Sequence, residues 1–356
     1  MIIPLVFCVE YMTVERVVFC SRLLITRTDK LGDFMLTWPA LADARAALPD
    51  ARLDVLVSPA VAEIARACPY VDEVVVDSAE PGRQLRNTLR IQGYDAAIAL
   101  FSTARVAQLL WSVGIPYRLG PATKVHQLFF NHRLKQRRSQ SLKPEYEYNR
   151  DLIRQLLKDH GVSPPEPTPR PPFWMLPPEG LKETADQLAE AYAIEKEARL
   201  VIVHPGSGGS ARNLSIQQYA ELVNGLKSDQ LLFVLVTAGP GETEQANALC
   251  KLITKHSAAV HASSDGLIAF AHVIAQAKLF ISGSTGPLHI AGALDISTLA
   301  FYPRRRSSTS LRWQTTNRPE HRLAFSPSPD ADEQDMQSID INQAAQAASQ
   351  QFLGGR

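Results

Sequence analysis

Cysteine is scarce in this chain. Its four residues, Cys8, Cys20, Cys68 and Cys250, are scattered without CxxC spacing, which argues against a zinc site or a disulfide framework and fits a reducing cytoplasm. An excess of charge is missing too: 37 Lys and Arg stand against 36 Asp and Glu, a net charge of +1, so the global balance points to no nucleic-acid partner. The basic clusters at 133–138 and 304–306 read first as solvated surface and second as contacts for an anionic partner. No apolar run is long enough for a membrane span: the opening MIIPLVFCVEYM is short, lacks a positive leader and is interrupted by Glu10. Residues 1–21 therefore read as an N-terminal extension, whose first eleven residues are either a start-site artefact with Met12 as the initiator, an extra edge strand or a weak membrane contact. Neither glycine-rich turn of the chain fits GxGxxG or GxxxxGK[ST], which disfavours an NAD enzyme and a P-loop NTPase. No metal-ligand cluster stands out, and no metal or cofactor is expected.

What is present is alternation. In 356 residues with 45% hydrophobic content there is material for two cores. Strand-like apolar runs at 23–26, 53–57, 73–76 and 96–100 are separated by helical patterns at 37–47, 60–67 and 85–92, the βαβ repetition of a parallel sheet covered on both faces. Proline density then rises in SPPEPTPRPPFWMLPP at 163–178, which suits a semi-rigid connector. Beyond it the strand pattern resumes at 200–203, 231–237, 259–261, 279–281 and 297–301. The expected fold class is α/β, with two Rossmann-like domains facing a cleft. Its divisions are the extension 1–21, an N-terminal domain 22–165, a Pro-rich linker 166–178, a C-terminal domain 179–335, and a C-terminal helix and tail 336–356.

Three strand-to-helix turns carry the chemistry. SGSTGPLHIAGAL at 282–294 places Ser284, Thr285 and Gly286 where helix N–H groups and the helix dipole converge, with Pro287 suited to the first turn. HPGSGGSARNLS at 204–215 supplies Ser207, Ser210, three approachable glycines and the fixed charge of Arg212. TRTDKLGD at 26–33 sets Asp33 at the mouth of the cleft, near the start of a helix expected to run through 34–47. There a carboxylate could serve as a general base, although from position alone a helix cap is the more economical role. Phosphate binding and ordinary helix capping compete at STG in the same way.

Together, LLITRTDKLGDFMLTWPAL at 23–41, HPGSGGSARNLS and SGSTGPLHIAGAL resemble the motifs of glycosyltransferase family 9, the ADP-heptose:lipopolysaccharide heptosyltransferases, over residues 22–353. The resemblance implies the two-domain GT-B fold, an ADP-sugar donor in the C-terminal domain and an acceptor in the N-terminal one. It also implies a catalytic base at Asp33, a phosphate-binding hydroxyl at Ser207, a phosphate-contacting cation at Arg212 and a ribose-holding carboxylate at Glu242 in TAGPGETE. Thr285, Gly286 and His289 match the third motif. The chain departs from the best-known members at Ser284, where they have aspartate, and at Arg212, where they have lysine.

The function so implied is inverting, metal-independent transfer of heptose or a related sugar from an ADP-sugar, a substrate rather than a cofactor, to the lipopolysaccharide inner core. The enzyme would work in the cytoplasm, peripherally on the inner face of the cytoplasmic membrane, through the basic stretch 124–138 with Phe129 and Phe130. His289 reads either as a phosphate-facing side chain or as a hydrogen-bonded core histidine. Asp340 and Gln343 resemble a capping box for a helix over 341–353, and the family resemblance implies that this helix crosses back to the first domain. A UDP-sugar transferase or epimerase, and a sugar-nucleotide-binding protein without activity, remain the alternatives.

Overall fold

Residues 20–78, 82–209, 212–262 and 264–355 are described by a computed structural model. Of the features read from sequence, residues 1–19 and Ser210 lie outside this set. The first half builds β1 (Arg22–Arg27), α1 (Leu31–Met35), α2 (Trp38–Ala47), β2 (Arg52–Val57), α3 (Ala62–Arg66), β3 (Glu73–Val76), α4 (Arg83–Gln92), β4 (Ala96–Ala99), α5 (Ala104–Val113), β5 (Tyr117–Pro121), β6 (His132–Leu134) and α6 (Glu145–Asp159). The second builds α7 (Pro178–Tyr192), β7 (Arg199–His204), α8 (Ile216–Gly225), β8 (Leu232–Ala238), α9 (Thr243–Leu252), β9 (Ser257–Ala262), α10 (Gly266–Ala275), β10 (Leu279–Gly283), α11 (Gly286–Ala293), β11 (Thr298–Phe301), β12 (Arg322–Phe325) and α12 (Ile341–Phe352).

Strands such as LFVLVTA of β8, buried at every position, have no solvent face, so they sit inside parallel sheets layered by helices. All pairings between the named strands are parallel. The first sheet has the order β3-β2-β1-β4-β5-β6 and the second β12-β11-β10-β7-β8-β9. Read from its own first strand, each is the doubly wound 3-2-1-4-5-6 order, whose direction reverses between β1 and β4 and between β7 and β10. Ligands of such sheets bind beyond the carboxyl ends of the strands at that reversal. The three motif turns follow β1, β7 and β10, which flank the two reversal points.

The helix expected through 34–47 is broken. Pro39 has no N–H to give the carbonyl four residues back and its ring would clash there, so α1 stops at Met35 and α2 restarts with proline in its first turn. One hydrophobic core runs through both domains and includes Trp38, Trp174, Leu288 and Tyr302. The proline-rich segment is held by both: the Trp174 ring lies 5.2 Å from that of Trp38, and the N–H groups of Phe173 and Trp174 donate to the Ala293 carbonyl at 2.9 and 3.0 Å.

α12 begins with Asp340 accepting from the Gln343 N–H at 2.9 Å. It does not cross back to the first domain. Its apolar stripe, Ile341, Ala344, Ala345, Ala348 and Phe352, packs on α8 and β12 within the second domain's outer core. The alanines permit close approach, and a Cβ on Gly225 of α8 would stand 3.3 Å from that of Ala345.

Candidate functional site

A cleft of about 1070 Å³ opens between the carboxyl ends of the two sheets. Asp33, Ser207, Arg212, Glu242, Ser284, Thr285, Gly286 and His289 all line it. Pairing of Ser282 in β10 with His204 at the end of β7 brings the loops that leave these strands side by side.

Glu242, at the N-cap of α9, is fixed by backbone rather than by side chains. The Gly208 N–H donates to its Oε1 at 2.8 Å and the Gly239 N–H to its Oε2 at 3.0 Å. A Cβ on Gly206 would fall 1.9 Å from Oε2, so that turn must be glycine for the carboxylate to reach its place. Gly208 and Gly209 follow with φ of 51° and 70°, the left-handed region that glycine enters at no steric cost. His204 stands behind, its Nε2 3.8 Å from Glu242 Oε2 and its Nδ1 3.0 Å from Thr237 Oγ1. Burial lowers its pKa against the opposing pull of Glu242 and Thr237, which keeps the imidazole neutral.

Across from this loop, Thr285 occupies the N-cap of α11 without a side-chain cap bond. Its hydroxyl lies instead 3.0 Å from Ser282 Oγ, which in turn donates to the His204 carbonyl at 3.0 Å. The helix amides are therefore not consumed by Thr285. Ser284 is half-buried, and Arg212 is exposed at the rim.

The two domains meet motif to motif. A Cβ on Gly32 would be 2.7 Å from His289 Cδ2, and one on Gly286 would be 2.7 Å from Leu31 Cδ2. Each glycine therefore admits a side chain from the opposite domain. His289 is 4% exposed, its Nδ1 is buried with no hydrogen-bond partner, and burial pushes its pKa down to about 4. In this structure its imidazole is neutral and packs against Gly32 at the cleft wall, without the hydrogen bond expected of a core histidine.

Asp33 does not cap its helix. Lys30 is the N-cap of α1, and the Asp33 Oδ1 accepts from Arg27 Nη2 at 2.6 Å. Arg27 also binds Asp29 at 2.8 Å and Glu145 at 3.1 Å. Burial opposes the charge of Arg27, but Asp29, Glu145 and Asp33 outweigh it and raise its pKa. Burial pushes the Asp29 carboxyl up to about 6 against the pull of Arg27, with the like charge of Asp33 adding to the rise. Glu145, also desolvated, is nevertheless held below the ordinary range by Arg138, Arg27 and Arg312.

Sequence reasoning missed Arg27, although it stands inside TRTDKLGD. Glu145 and Arg312 gave no signal, because they meet only in three dimensions. Glu63 of α3 was missed as well: its carboxylate accepts from the Leu267 and Ile268 N–H groups at 3.0 and 3.1 Å, capping α10 from the other domain. Among the described residues no group of three His, Cys, Asp or Glu side chains is placed to hold a metal ion. Phe130, expected at a membrane contact, is 1% exposed, packed where a Cβ on Gly120 would fall 2.6 Å from its ring.

Comparison with known proteins agrees with this architecture. The profile of glycosyltransferase family 9 (heptosyltransferase) matches residues 82–338. A Haemophilus influenzae protein named "Putative glycosyltransferase" is 42% identical over 311 residues, spanning 86% of this chain and 89% of its own length. Lipopolysaccharide heptosyltransferase 1 of Escherichia coli is 24% identical over 302 residues, 79% of this chain and 87% of the relative. The solved structure of E. coli ADP-heptose lps heptosyltransferase II superposes with a TM-score of 0.74 at 18% identity, covering 94% of this chain and 99% of that one. The chain is an enzyme on the two-domain GT-B fold and belongs to glycosyltransferase family 9.

Proposed function

We propose that the protein transfers heptose, or a closely related sugar, from an ADP-sugar to the inner core of lipopolysaccharide, with inversion at the anomeric carbon. The observation that carries this reading is the opposition of Asp33 and the glycine-rich phosphate-type turns across one cleft. An inverting transfer needs those two parts on opposite sides of the sugar. Asp33 takes the proton from the acceptor hydroxyl as its oxygen attacks the anomeric carbon. The bond to the diphosphate breaks on the far side, and the leaving charge is received by Arg212, Ser207, Ser284 and the backbone at Thr285 and Gly286. Glu242, held in place before the donor arrives, has lone pairs left for the ribose hydroxyls. Support for adenine and heptose comes from the family and from the ADP-heptose enzyme whose fold this chain shares. An ADP-sugar donor and a lipid-linked acceptor together support a reaction in the cytoplasm at the inner membrane face.

The test combines ligand-induced thermal shift with turnover. ADP is expected to raise the melting temperature more than UDP, GDP or NAD. Asp33→Asn should keep the fold and the ADP-sugar affinity, since the donor contacts lie in the other domain, while turnover falls roughly a hundredfold or more. Equal shifts with UDP would overturn the donor. Near-normal turnover in Asp33→Asn would overturn the base.

A further inference from the structure

The charge network beside Asp33 reaches into the second domain. Arg27, the last residue of β1, is 2% exposed, and its three nitrogens are all engaged. Nε donates to Asp29 Oδ1 at 2.8 Å, Nη2 to Asp33 Oδ1 at 2.6 Å, and Nη1 to Glu145 Oε1 at 3.1 Å and Asn149 Oδ1 at 3.3 Å. A planar guanidinium fixes these directions together. Asp33 gives Arg27 one carboxylate oxygen, which leaves the second for a hydroxyl in the cleft.

Glu145 carries the chain of contacts onward. Its carboxylate accepts from Arg138 Nη1 at 2.7 Å and from Arg312 Nε and Nη2 at 2.9 and 2.7 Å, and its N–H donates to the Arg312 carbonyl at 2.8 Å. Arg312 belongs to the second domain, between β11 and β12. Three carboxylates, Asp29, Asp33 and Glu145, thus balance three guanidiniums, Arg27, Arg138 and Arg312. Arg27 and Glu145 at the centre are each 2% exposed, and a buried ion pair is a poor stabiliser compared with packed apolar side chains, so fold stability alone gives little reason for that pair.

We infer that Arg27 is a positioning residue for the transfer reaction: it aims Asp33 at the acceptor hydroxyl and, through Glu145, makes that aim depend on the seating of Arg312. The inference rests on the reading of Asp33 as base. Closing the second domain onto the first would then complete the network, and the base would be held in its working direction only when the donor domain is in place.

Steady-state kinetics of the full chain with its ADP-sugar tests this. Arg27→Lys keeps the charge and loses the planar fork; kcat should fall about tenfold or more while the donor KM stays within about twofold. Arg312→Gln, made in the other domain, should also lower kcat at constant donor KM, and the double variant should cost less than the product of the two singles. Should Arg27→Lys fail to fold, Arg312→Gln decides alone by the same split. A purely structural Arg27 would lower the melting temperature and leave kcat of the folded fraction unchanged, and that result overturns the inference even if Asp33→Asn is inactive. If Asp33→Asn turns over normally, or the wild type is idle on every sugar nucleotide offered, the reading beneath falls and the inference with it.

Discussion

Glu242 and Gly206 constrain each other sterically. With 1.9 Å between a hypothetical Cβ at residue 206 and Glu242 Oε2, Gly206→Ala must expel the carboxylate from its two backbone donors, Gly208 and Gly239. Hydrogen bonds to a charged acceptor contribute about 1.5–3 kcal/mol each, and the displaced group would lose the ribose contact proposed for it. We expect Gly206→Ala to weaken ADP binding at least about tenfold, a loss of about 1.4 kcal/mol, while Gly82→Ala, in open space on the first domain, leaves it unchanged. Calorimetric titration with ADP decides: equal affinity in the two variants would remove Glu242 from the nucleotide site. At this scale the sequence was legible where chemistry is local. The glycine-rich turns stand beside strand ends and show by residue type, whereas position alone makes Asp33 a helix cap and only the family resemblance singles out Glu242. The partners of Asp33 do not show by residue type, because Arg27 meets Glu145 across 118 positions and Glu145 meets Arg312 across 167.

Among the elements, the buried central strands were readable because a strand covered on both faces has to be an apolar run. β5, β6 and β12 were not. YRLGP contains glycine and proline, HRL is three residues long, and RLAF is nowhere fully buried; edge and near-edge strands need less apolar surface and so leave a weaker pattern. The α1–α2 break was written in Pro39 yet overridden by the apolar pattern around it. For α12 the helix and its capping aspartate were legible, but its partner was not, since an apolar stripe of alanines does not specify which sheet receives it. Its actual seat predicts a local outcome. Deleting residues 340–356 exposes the core against which Ile341, Phe352 and Leu353 pack, and fully buried side chains of this kind contribute about 1.5–3 kcal/mol each. Against a net stability of about 5–15 kcal/mol, the truncated protein should melt roughly 10 °C lower or more. Because α12 touches α8 and β12, hydrogen exchange should rise first in the second sheet, with protection of β1 and β4 unchanged. Uniform loss of protection in both sheets would contradict the packing described.

For the molecule as a whole, the two domains are joined by apolar packing, by the Glu63 cap on α10 and by the Glu145–Arg312 pair. The proposed acceptor is an anionic glycolipid, so one outer face has to meet a membrane. No helix among the described residues is long and apolar enough to cross one. A candidate contact lies at the β6 edge of the first sheet, where Val125, Leu128 and Trp111 are 81%, 72% and 54% exposed and Lys124, Arg133, Lys135 and Arg137 are exposed nearby in the chain. His126 Nε2 lies 3.1 Å from the Ser102 carbonyl just beyond β4, which sets this patch beside the carboxyl end of the sheet, the end that carries Asp33. Basic side chains near an anionic surface contribute about 1 kcal/mol each, and the Debye length contracts from about 10 Å in 0.1 M salt to about 3 Å in 1 M. Cosedimentation with vesicles of phosphatidylglycerol and phosphatidylcholine should therefore be strong at low salt and lost near 1 M. Arg133→Glu with Lys135→Glu should weaken binding most at low salt, and Leu128→Ser should weaken it by a factor that does not change across the salt range where binding persists, because an apolar contact is not screened. Binding that ignores both salt and the paired charge reversal would assign membrane contact to another face of the protein.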